Sequence, residues 1–158
     1  MTYTRLTRVL ALDLHPRRFG YVVVEGPDRL LDWGVRSYRR KGKPIEVLLQ
    51  RRLRPLLELW RPMVVVIRGA RRIPSRQRLG RKRLLKGVAA EAKEYRVSVR
   101  IGSDQVESLT KYENARRVAE HFPVLKWNLP PKRRAWENEH YRMSIFTAAA
   151  LAMAAGAK

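Results

Sequence analysis

VLALDLHPRRFGYVVVEG, residues Val9–Gly26, holds two apolar runs around a short basic turn. Both runs are rich in residues that suit a pleated, half-buried surface, so each predicts a β-strand, Arg8–Leu14 and Phe19–Glu25. His15-Pro16 breaks the first run. The connection is too short for a parallel return, which needs a dozen or more residues, so the two strands pair antiparallel. A third run, Leu30–Tyr38, follows the breaker Gly26-Pro27-Asp28 and extends the meander. Asp13 therefore sits where the first strand leaves the sheet, an unusual place for a lone acid in an apolar run. That placement asks whether Asp13 is the first ligand of a metal-dependent site, and which residues elsewhere would complete one.

Beyond the meander, apolar residues recur at helical spacing over Ile45–Trp60, where Pro55 predicts a kink or a break into two pieces. Met63–Ile67, MVVVI, is a continuous β-branched run. It reads as a central strand covered on both faces and fed by a helical crossover. The basic stretch RGARRIPSRQRLGRKR reads as a loop, followed by a helix over Leu84–Tyr95 and a short strand at Val97–Ile101. Ser103 is a candidate helix cap. Further helices are expected over Glu113–Phe122 and Glu137–Ala154, joined by the connector Asn128–Trp136. The order is β-β-β-α-β-α-β-α-α, and the 158 residues read as one domain.

Composition bounds the function. The net charge is +21, from 35 Lys plus Arg against 14 Asp plus Glu. Self-repulsion at that density favours a polyanionic partner, and nucleic acid fits best. The chain contains no cysteine, which excludes disulfides and thiolate metal sites. MTYTRLTR lacks the apolar segment of a secretion signal, so a cytoplasmic protein is expected. MSIFTAAALAMAA is too short to span a bilayer and reads as a buried helix, so no membrane partner is expected.

The element order is that of the RNase H-like α/β fold, a five-stranded mixed sheet flanked by helices. Within it, VLALDLHPRRFGYVVVE resembles the first hairpin of RuvC-type Holliday junction resolvases. In that family an aspartate closes the first strand and a glycine seven residues later opens the second, here Asp13 and Gly20. RPMVVVIRGAR is similar to the family's fourth strand, and AAALAMAA to the small-residue stretch of its final helix. The resemblance runs in order through nearly the whole chain. It implies a nuclease that clamps a phosphodiester between two divalent ions, Mg²⁺ or Mn²⁺, held by carboxylates. It also implies DNA rather than RNA as partner, and a homodimer.

Carried over residue by residue, the resemblance retains Asp13 alone. Arg68 stands where the fourth strand of the family ends in glutamate, and Ser144 and Thr147 occupy the paired ligand positions of the last helix. The expectation is therefore a pseudo-active site without a metal cofactor, in which Arg68 pairs with Asp13. Two alternatives stay open. Glu137 or Glu139, with His140 beside them, would complete a metal site if the alignment shifted by a turn, in which case Mg²⁺ or Mn²⁺ would be needed. Otherwise both acids serve the positive end of a helix. Asp104 and Glu107 invite the same two readings, and His15 is either a ligand or a turn residue.

Nucleic acid would be gripped by three clusters. Arg71, Arg72, Arg76, Arg78, Arg81, Lys82 and Arg83 put seven cations into thirteen residues with no acid between them. Lys132, Arg133 and Arg134 precede the last helix, and Arg39, Arg40, Lys41 and Lys43 follow the third strand. Trp127 and Trp136 read as core residues first and base-stacking residues second. Such contacts hold phosphates without reading sequence. Three functions compete: a catalytically impaired resolvase-like binder of branched or duplex DNA or structured RNA; an active metal-dependent endonuclease with relocated carboxylates; and a basic accessory protein of a ribosome or nucleoprotein assembly.

Overall fold

A computed structural model describes residues 7–39, 42–69, 75–103, 109–134 and 136–156. Its elements are β1 (Arg8–Leu14), β2 (Arg18–Glu25), β3 (Arg29–Ser37), α1 (Ile45–Trp60), β4 (Val64–Arg68), α2 (Ser75–Glu94), β5 (Ser98–Gly102), α3 (Lys111–His121), a 3-10 turn (Pro123–Asn128) and α4 (Met143–Gly156). The sheet order is β3-β2-β1-β4-β5. β1 to β3 pair antiparallel, while β4 runs parallel to both β1 and β5. This is the RNase H-like sheet expected from the sequence.

Period-two alternation divides the core into two layers. Val9 and Ala11 of β1, with Val22, Val24, Val64 and Val66, pack against α3 and α4. Leu10, Leu12 and Leu14, with Phe19, Val23, Val65 and Ile67, pack against α1 and α2. β4 is buried on both faces, which is why its run shows no alternation in sequence. Asp13 falls in phase with Val9 and Ala11, so it belongs to the α4 layer. There β2 comes so close to α4 that a Cβ on Gly20 would lie 2.6 Å from the Ser144 backbone carbon. Glycine at position 20 is thus the condition for this approach.

Several boundaries differ from expectation. α1 continues through Pro55 without a break, its ring on the exposed side. α2 begins at Ser75, so Arg76, Arg78, Arg81, Lys82 and Arg83 are helical rather than loop residues. α3 is capped by Thr110, whose Oγ1 accepts from the Glu113 backbone N–H at 3.1 Å. α4 begins at Met143, so Glu137 and Glu139 lie in the connector and not in its first turn. Trp127 and Trp136 are exposed, at 87% and 77%, and are not core residues. Arg40, Lys41, Arg71, Arg72, Asp104 and Glu107 lie outside the described residues. No helix among the described residues is long and apolar enough to cross a membrane.

Candidate functional site

The sheet brings three strand ends to one edge. β1 and β4 are parallel, and β3 runs with β1 because both are antiparallel to β2. Asp13, Arg36 and Arg68 therefore all lie at the same end, joined by Arg17 and Arg18 of the β1–β2 turn and Arg39 after β3. Tyr38 fixes this geometry: its N–H donates to the Arg17 carbonyl and its hydroxyl to the His15 carbonyl. Arg17, Arg18 and Arg36 were not singled out from sequence. The register of the meander, with Phe19 opposite Arg36, is the signal that places them here.

Asp13 is 1% exposed. Its Oδ2 accepts from Ser144 Oγ at 2.8 Å and from His15 Nε2 at 2.7 Å. Its Oδ1 is buried with no hydrogen-bond partner. Burial pushes the Asp13 carboxyl up, but the His15 hydrogen bond and charge, the Arg68 charge and the Ser144 hydrogen bond together hold it below its ordinary value. Arg68 acts on Asp13 through its field, and the direct contacts expected of it are made by His15 and Ser144 instead. Thr147 turns away from Asp13: its Oγ1 donates to the Met143 carbonyl one turn earlier, at 3.3 Å. His15 is a contact of the buried acid as well as a turn residue.

Beside this cluster opens a cavity of about 240 Å³ between the β1 and β4 ends and the first turns of α2. His15, Arg68, Arg76 and Arg81 line it together with Gln77 and Leu84, and no carboxylate among the described residues does. Arg81 is 8% exposed. One of its terminal nitrogens donates to the Arg68 carbonyl, and its Nε has no partner. Burial and the Arg68 charge both work against its protonated form, and only Asp13 favours it.

The remaining candidates are spread more widely. Glu139 pairs with Lys111 at 2.6 Å and Glu137 with Arg134 at 3.9 Å. Both acids line a second cavity with Lys132, Arg133 and His140, against the start of α3. His140 Nδ1 accepts from the Arg142 N–H at 3.2 Å. Arg83 is engaged with Glu46 on α1 at 3.1 Å. The Arg134 guanidinium stacks over Trp136, 5.6 Å from the ring centre.

The donor set among the described residues does not fit a divalent ion. Among the described residues no three His, Asp or Glu side chains gather as a metal site. Asp13 has already committed Oδ2 to two donors, and its charged neighbours are cations. No step through a metal follows from these residues.

No protein-family model matches the chain, and no curated protein sequence matches it. Solved structures do. The chain is similar to Thermus thermophilus RuvC in complex with a Holliday junction substrate, with TM-score 0.72 and 21% identity over 94% of this chain and 92% of that one. A second Thermus thermophilus RuvC structure matches at TM-score 0.68 over the same shares, again at 21% identity. The Fowlpox virus resolvase in complex with Holliday junction DNA matches at TM-score 0.56 and 10% identity, over 96% of this chain and all of that one. Proteins from a bacterium and a virus thus superpose on nearly the whole of this chain, and its fold is that of the RuvC-like Holliday junction resolvases.

Proposed function

We propose that this protein binds branched or duplex DNA along the basic edge of its sheet, and that it does so without cleaving it. The carrying observation is the charge inversion around Asp13. One buried acid is tied to a hydroxyl and an imidazole, and Arg68 and Arg81 stand close enough to act on its ionisation or to be acted on by it. A hydrolytic centre needs anions to concentrate divalent cations, whereas this centre concentrates cations of its own. Neighbours of the same fold are seen on Holliday junctions, which supports DNA over RNA and a four-way junction as the first substrate to try. Glu137 and Glu139 do not favour the nuclease reading, because each already faces a cation away from Asp13's contacts.

The test is binding and cleavage of a four-way junction, with Mg²⁺ and separately with Mn²⁺. The expected result is binding with both ions and no strand scission with either. Cleavage by the purified protein that Asp13→Asn abolishes would establish an active nuclease and overturn the reading.

A further inference from the structure

The geometry points to a subsite in the cavity between His15, Arg76 and Arg81 that holds one tetrahedral phosphate group. This deepens the DNA-binding reading and rests on it for the source of that group, which we assign to a backbone phosphodiester.

Four independent features converge there. The cavity, at about 240 Å³, is several times the ~30 Å³ that a water molecule occupies in the liquid, so it admits a solvated or partly dehydrated phosphate. Among the described residues its titratable lining is His15, Arg68, Arg76 and Arg81, all of them basic side chains. Arg81 is more than nine-tenths buried, lines the cavity, and has spent one terminal nitrogen on the Arg68 carbonyl while its Nε bonds to nothing, so its charge is incompletely satisfied by the protein. Lastly, Arg76, Gln77, Gly80 and Arg81 belong to the first two turns of α2, where the helix field is positive and the first turn holds no acid.

The groups facing Arg81 do not satisfy it from within. Arg68 lends it a carbonyl but adds a like charge, and Asp13 supplies one anion already shared with His15 and Ser144. An oxyanion placed among the three side chains would accept from Arg81 and Arg76 and balance the surplus charge. The forked donors of arginine suit two oxygens of one phosphate.

Two measurements on the full chain test this, each made on the wild type, Arg76→Ala, Arg81→Gln and the charge-matched control Arg52→Ala on exposed α1. In the first, inorganic phosphate replaces chloride at constant ionic strength while the unfolding temperature is followed. In the second, four-way junction affinity is measured across a salt series. The expected result is stabilisation by phosphate in the wild type and Arg52→Ala and none in the two cavity variants. Junction affinity of Arg76→Ala should fall about tenfold, and its salt slope should lose about one unit. Cavity variants that respond to phosphate and bind junction as the wild type does overturn the subsite while leaving DNA binding intact. A wild type that takes phosphate through these arginines but binds no DNA sustains the phosphate site and overturns the DNA reading. Loss of junction binding in the cavity variants without any response to free phosphate assigns the site to the phosphodiester alone. If Arg81→Gln does not fold, Arg76→Ala decides, because Arg76 is exposed.

Discussion

Replacing Asp13 by asparagine would keep the outline of the β1 end and remove its charge. Oδ2 accepts from both Ser144 and His15, and the neutral amide oxygen would accept more weakly from both. A loss of about 1–3 kcal/mol is expected, read from denaturant midpoints at neutral pH. The sign with pH follows from the lowered carboxyl. Its contribution is fully present above the unfolded value near 3.8 and is lost as pH falls through the still lower folded value. The gap between wild type and Asp13→Asn should therefore narrow as pH falls below about 4; a gap that widens below that pH would contradict it. Gly20 makes a second prediction. Gly20→Ala places a methyl 2.4 Å from Ser144 Oγ and 2.6 Å from its backbone carbon. A destabilisation of at least ~1–3 kcal/mol is expected, and adding Ser144→Gly should not restore stability, because the backbone clash remains.

Among the elements, α1 carries its own test. Pro55 sits inside an unbroken helix on an exposed face, where it withholds a backbone hydrogen bond. Pro55→Ala should stabilise the protein by about 2 kcal/mol, the helix-interior penalty less the gain from a stiffer unfolded chain. An unchanged or lower unfolding temperature would show that the ring packs usefully. The same helix illustrates how far the sequence could be read. Its bounds follow from apolar periodicity, because one buried face imposes a period, and those of β1 from an apolar run buried on both faces. The first turns of α2 have no such face: Arg76 to Leu79 are all exposed, so the periodicity that marks a helix is absent. Pro74-Ser75, a helix-start signal, was the one cue available there. The start of α4 is not legible in the sequence, because nothing between Trp136 and Met143 breaks a helix; the helix begins beside the point where Ser144 meets Asp13 and Gly20, a contact between distant residues. That positions 68, 144 and 147 carry no acid is plain from the sequence. The partner of Asp13 is not, since His15 reaches it from the turn and Arg68 does not pair with it.

At the scale of the whole molecule, a net charge of +21 makes binding to a polyanion chiefly a matter of releasing counterions. If six to ten phosphates are engaged, junction affinity should fall by ~10³–10⁵ between 50 and 200 mM salt. A weak salt response would point instead to contacts made by exposed Trp127 and Trp136, which stack rather than neutralise. Because the arginines of the β1–β2 turn, the β3 end and α2 share one edge, single substitutions there should lower affinity for all sequences alike.

The tight seat of α4 on β2 also limits which side chains this end of the sheet can accept. An acid at position 144 would have to occupy the space where a hydroxyl now reaches Asp13, against a glycine already in backbone contact, and would set two like charges side by side in a dry interior. An acid at 68 alone would strip the buried aspartate of a counter-charge. Each such substitution is harmful taken singly, so a carboxylate cluster could be engineered here only by changing several positions at once.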